Sequence, residues 1–216
     1  MSKSGRAANK VRRTEQQVKQ LTELTDMVGT LWGDRPECVE ACALFVGTTM
    51  RLGIPVKARA VSIFAVDSVT SRLAATGVAA GAEAAALGVT IVGAPADVSA
   101  ASFERAGHMV VTSDLHSMFF DPTFRQFSRD GLPDVIVAGK VTSVHPVDNR
   151  LNVALDGGRV NVAYFFDDEN AGWQDGFNAV LPQWGSVAEE LASQLRRGGT
   201  ARTLGFEIPW DEHPGH

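Results

Sequence analysis

Apolar positions in the chain fall first into helical spacing and later into strand alternation. Val18, Leu21, Leu24, Val28 and Leu31 recur at intervals of three and four, with Gln, Lys and Glu between them. This spacing predicts a helix from about Lys10 to Gly33. A second helix is expected at once. Asp34 is placed to cap it, Glu37 follows at capping-box spacing, and Pro36 falls in the first turn, where a missing N–H costs little. The run from Cys38 to Met50 is apolar nearly all round, so this helix is expected to be buried, with Gly53 and Pro55 ending it.

Strand signals follow. Residues 56–66 read as a strand, 69–87 as an Ala-rich helix, 89–93 as a short strand and 108–120 as a hairpin. Further strands are expected at 134–142, 151–155 and 159–166, the last two joined across Asp156-Gly157-Gly158. Residues 167–185 read as a loop bearing Trp173 and Trp184. A final helix is expected from a Ser186–Glu189 capping box to Arg197. Hairpins outnumber crossovers, which gives an α+β fold with N-terminal helices packed on a mostly antiparallel sheet. Residues 1–9 are expected to be a disordered basic tail, 10–200 one domain, and 201–216 a loose tail.

Composition narrows the class. A chain of 216 residues, 44% apolar and 21% charged, is long enough for one real core and excludes a disordered protein. No apolar run reaches the ~18 residues of a membrane span. The basic start, MSKSGRAANKVRR, has no apolar stretch behind it, so a cytoplasmic location is expected. Two cysteines exclude a disulfide scaffold. The net charge of −5 divides into +5 over residues 1–20 and −10 over the rest, which argues against nucleic-acid binding by the main body.

Candidate chemistry begins at Cys38. The expected boundaries put it in the first turn of a helix, where unpaired N–H groups and the helix dipole favour a thiolate. A cysteine in an apolar helix is otherwise a small core residue. Cys42, one turn further, reads as such. The Cys-x-x-x-Cys pair is also half of a zinc site, for which His108 and His116 are the nearby partners. A thiol enzyme needs a base and a group to orient it. Folding residues 108–121 about a two-residue turn at Asp114-Leu115 puts His108 opposite Asp121, with side chains roughly 5 Å apart.

Together these pieces resemble the transglutaminase-like superfamily, which shares the papain-like cysteine-protease core. The family pattern is Gly-x-Cys-x-x-x-Ala, seven residues, then Arg-x-x-Gly-Ile-Pro-x-Arg, followed by a strand His and an Asp-Pro-Thr. Here Cys38 stands fifteen residues before Gly53-Ile54-Pro55, His108 takes the place of the strand His, and Asp121-Pro122-Thr123 matches the Asp motif. Pro36 replaces the Gly, Cys42 the Ala, and Lys57 the final Arg, while the helix Arg falls one place late at Arg51. The match covers roughly residues 32–124, within which 68–106 reads as an insertion near the site.

The resemblance implies a Cys38–His108–Asp121 triad that cleaves a peptide or amide bond through an acyl-enzyme. It requires no metal or organic cofactor, and its substrate is a peptide, a protein or a small amide. The family also contains acyl transferases and deamidases, and a non-catalytic binding protein on the same fold is the remaining alternative. The backbone N–H of Cys38 is one expected oxyanion donor, and Trp32, six residues upstream, is a candidate for a second, the alternative being that it packs the junction of the two helices. The walls of the substrate pocket are expected from 68–106 and from the acidic 167–185 loop.

Overall fold

The computed structural model describes residues 3–77, 79–81, 107–141, 144–145, 149–167 and 172–204. Helix α1 (Lys3–Trp32) begins well before Lys10 and takes in most of the stretch expected as a disordered tail. Nothing from Ala7 to Lys10 breaks a helix, and Ala and Lys are strong helix formers. Its inner stripe, Leu21, Leu24, Met27, Val28 and Trp32, is buried.

Helix α2 (Cys38–Leu52) starts at the cysteine itself. Asp34 does not cap it. The N-cap residue is Glu37, which makes no side-chain cap, and the Asp34 carboxylate accepts from Arg129 Nε at 2.9 Å instead. At the other end Gly53 takes a φ of 67°, its N–H reaches Met50 O, and Ile54 N–H reaches Thr49 O at 3.0 Å. This is the Schellman closure that the Gly-Ile-Pro sequence foreshadows.

The sheet has seven strands: β1 (Lys57–Asp67), β2 (Leu73–Thr76), β3 (His108–Ser113), β4 (Met118–Asp121), β5 (Val137–Lys140), β6 (Arg150–Leu155) and β7 (Val160–Phe166). The order is β5-β4-β3-β1-β7-β6, and β2 pairs with β1 off this path. All described pairings are antiparallel. One edge of β1 serves two partners in turn, β3 along Lys57–Val61 and β2 along Ile63–Val66. His108, opposite Val61, therefore stands where one partner gives way to the other.

Three expectations are corrected here. Within 69–87, residues 73–76 form a strand because β1 offers them an edge, and pairing overrides the helix preference of alanine. Residues 82–87 and the expected strand at 89–93 lie outside the described residues, as does most of the 68–106 insertion. The β3–β4 hairpin pairs Ser113 with Met118, so its loop is the four residues Asp114–Ser117 rather than two. Ser117 closes that loop with a φ of 50°. Third, the 167–185 loop contains helix α3 (Gly172–Val180), in which Trp173 and Phe177, one turn apart, pack with ring centroids 5.8 Å apart. A 3₁₀ turn (Leu181–Trp184) leads into helix α4 (Gly185–Arg196), which has no side-chain cap from Ser186.

The architecture is α+β, with helices gathered on one face of a curled antiparallel sheet. Alternation along β3 and β4 splits the interior in two. Met109, Val111, Met118 and Phe120 join the helix-side core with Trp32, Leu44, Phe45 and Trp184. Val110 and Phe119 face a second core with Val61, Ile63, Tyr164, Phe124 and Phe127. Among the described residues, no helix is long and apolar enough to cross a membrane.

Candidate active site

Cys38 is held at the helix start by its own approach loop. Its N–H donates to Pro36 O at 2.9 Å, and Glu37 between them has φ −81° and ψ 67°. That is an inverse γ-turn, set up where this chain has proline. The expected oxyanion role of the Cys38 N–H is thus corrected, because the group is already engaged. The Cys38 side chain is half-buried. Cys42 is fully buried, and its thiol donates to Met109 O at 3.3 Å. Burial, followed by the neighbouring Cys38 and Asp121 charges, pushes the Cys42 thiol well above its ordinary value. The Cys42–Met109 bond pins the second turn of α2 beside the start of β3.

His108 is the first residue of β3, and its side chain is 1% exposed. Its Nε2–H donates to Asp121 Oδ1 at 2.9 Å. Cys38 is near enough to the same ring to act on its charge. Burial works against a charged imidazole here, but the Asp121 carboxylate and Cys38 outweigh it and lift His108 to about 10. Gln126 Nε2 stands 2.8 Å from the other ring nitrogen, Nδ1, and the Phe127 ring packs 5.6 Å from the imidazole, centroid to centroid.

Asp121 ends β4 and is wholly buried. A buried carboxylate must be paired and hydrogen-bonded to be tolerated. Besides His108, Oδ1 accepts from Thr123 N–H at 3.1 Å and Thr123 Oγ1 at 3.4 Å, while Oδ2 accepts from Tyr164 OH at 3.1 Å. The threonine of Asp-Pro-Thr thus turns back onto its own aspartate. The next segment, a 3₁₀ turn (Phe124–Asp130), brings Gln126 and Phe127 to the histidine. Arg129–Asp34, Arg125–Asp134 and Arg125 Nη1 to Gly29 O tie it down.

The structure therefore joins His108 to Asp121 with Cys38 near the ring, and Trp32 lies in the helix-side core against which Cys38 also packs. Trp32 is 1% exposed in the helix-side core, its ring 5.0 Å from that of Trp184 and tilted by 55°. The zinc alternative fares no better. His116 sits in the hairpin loop, the Cys42 thiol is spent on Met109, and among the described residues no group of three His, Cys, Asp or Glu is placed to hold a metal ion. From the 167–185 segment, Asp167, Trp173 and Gln174 line a cleft of about 500 Å³ opposite Lys57–Ala60, and Cys38, His108 and Asp121 are not among its lining residues. That cleft begins one residue from Val61, the strand partner of His108, and runs away toward Asp114. Comparison with protein-family models, curated proteins and solved structures finds no match to this chain.

Two site residues were not singled out by the sequence pattern. Tyr164 is the one tyrosine of the chain and lies on a strand already expected. A buried tyrosine hydroxyl needs a partner, and that was the available signal. Gln126 had none, since nothing in a Thr-Phe-Arg-Gln stretch marks the glutamine.

Proposed function

We propose that this protein is a cysteine-dependent hydrolase of peptide or amide bonds, built on a transglutaminase-like fold. The observation that carries the proposal is the buried His108–Asp121 hydrogen bond, at 2.9 Å, with Cys38 at a helix start and near enough to act on the charge of the same imidazole. The three residue types, their chain order and the His108–Asp121 bond are those that nucleophilic catalysis by a thiol uses.

In this reading Asp121 holds Nε2–H, so Nδ1 is the nitrogen that exchanges a proton with Cys38. The sulfur attacks the substrate carbonyl carbon, a C–S bond forms, and the carbonyl π pair moves onto oxygen. The oxygen pair then re-forms the double bond, the C–N bond breaks, and Nδ1–H protonates the departing amine. Water repeats the sequence on the thioester, with His108 taking its proton, and releases the acid. An amine in place of water gives acyl transfer. The free thiols Cys38 and Cys42 suit a reducing compartment such as the cytoplasm. The net −10 beyond residue 20 suits a peptide or amide better than a nucleic acid.

The test is turnover of a library of peptides and simple amides, with and without an added primary amine. Acid release that vanishes in Cys38→Ala and in His108→Ala supports hydrolysis. Amine incorporation without acid release makes the protein an acyl transferase. Turnover that survives Cys38→Ala would overturn the proposal.

A further inference from the structure

An acyl-enzyme mechanism places negative charge on the substrate oxygen, and a site of this kind needs a donor for it. Of the two donors expected from the sequence, one is engaged and the other is held in the core. The Cys38 N–H is bonded to Pro36 O at 2.9 Å, and Trp32 is packed on Trp184 in the helix-side core. Among the described residues, a side-chain donor that the fold brings to the histidine is the carboxamide of Gln126. We propose that Gln126 is the oxyanion donor of this site, an inference that rests on the thiol-hydrolase reading above.

His108 Nε2–H is committed to Asp121 at 2.9 Å, so Nδ1 is the ring nitrogen left for Cys38. Gln126 Nε2 lies 2.8 Å from that same nitrogen. The amide NH₂ and the sulfur are therefore neighbours across one ring atom. Their relation changes with the proton. A bare Nδ1 accepts from the amide NH₂, whereas an Nδ1–H donates to the amide oxygen, and the amide so turned leaves its NH₂ unengaged by the ring. The NH₂ is thus free while Nδ1 carries the proton. When sulfur bonds to carbon and the π pair moves to oxygen, the freed NH₂ can donate to that oxygen. It does so again while the C–N bond breaks and Nδ1–H passes to the leaving amine. Gln126 is half-buried, so substrate can reach it, and its turn is clamped by the Arg129–Asp34 and Arg125–Asp134 pairs.

The test compares two reactions of Cys38 in the full chain. Acylation by p-nitrophenyl acetate passes through an oxyanion, whereas alkylation by iodoacetamide displaces iodide at a saturated carbon and forms none. Gln126→Met keeps the size of the side chain and removes the donor. Its acylation rate should fall by ~10²–10³, the loss found on deleting one such donor, with alkylation changed by less than about threefold. Gln126→Glu, a second isosteric variant, cannot donate when ionised, and its acylation should fall at least as far. If acylation and alkylation fall in step, Gln126 acts by positioning His108 and the proposal is wrong. Unchanged acylation in either variant also overturns it. Wild-type acylation no faster than that of Cys38→Ala would instead sink the thiol-hydrolase reading and this inference with it. A Cys38-dependent reaction indifferent to Gln126 sinks this inference alone.

Discussion

His108 and Asp121 are bonded at 2.9 Å although they are not opposite one another in the sheet. The register pairs Val111 with Phe120, so continuing it by one residue sets Asp121 beside Val110. The two residues meet on the diagonal. They can do so because they point to the same face, and a shift of two residues keeps every side chain on its face. The diagonal also leaves the histidine at the strand end, where Cys38 can reach it.

Asp121→Asn should keep the fold but favour the wrong imidazole tautomer. On the proposed mechanism kcat would fall steeply, toward the ~10⁴ that the analogous change costs a serine protease. Turnover assays check this, and a loss of less than about tenfold would argue against an orienting role for Asp121.

The same pair sets a pH dependence of stability. His108 is lifted from 6.5 to about 10 in the folded protein, so the folded state binds its proton more tightly than the unfolded one. The resulting stabilisation is whole below pH 6.5 and is lost as pH rises toward 10. Urea unfolding should therefore show wild type weakening across that window, and Asp121→Asn weakening less. Parallel curves for the two proteins would contradict the pairing.

How much of this was legible in the sequence depends on what each residue answers to. Cys38, His108 and Asp121 were singled out by motif spacing, and His108 and Asp121 still share a face because strand parity survives a two-residue error in loop length. The loop was misjudged by two residues, since Asp114–Ser117 carries no Gly to announce its φ of 50° at Ser117. Asp34 was misread as a cap because its partner, Arg129, is remote in sequence. Residues 73–76 have a helical composition and become a strand for the sake of a β1 edge that local sequence does not reveal. The Cys38 N–H and Trp32 were assigned by position, and a γ-turn and a core contact took them elsewhere.

Tyr164→Phe should remove the hydroxyl that donates to Asp121 Oδ2 at 3.1 Å. A buried carboxylate that loses one donor costs about 1–3 kcal/mol, so thermal unfolding should move to lower temperature. An unchanged melting temperature would mean that the hydroxyl contributes nothing net.

Gly29→Ala tests the seat of the aspartate turn. A Cβ at Gly29 would stand 2.5 Å from Ile136 Cδ1 and 2.9 Å from the Pro122 carbonyl oxygen. The side chain can yield, but the backbone next to Asp121 must shift. Overpacking of this kind costs about 1–3 kcal/mol. Denaturant titration should show that loss, and a neutral substitution would show that α1 does not brace the turn.

The central claim is that Cys38, activated by His108, is the group that reacts with substrate. The most direct measurement is mass mapping after exposure to a panel of peptide and amide electrophiles, on wild type and His108→Ala. The half-buried Cys38 should carry the label, the fully buried Cys42 should stay unmodified, and labelling of Cys38 should collapse in His108→Ala. Label on Cys42, or equal labelling of Cys38 with and without His108, would contradict the account.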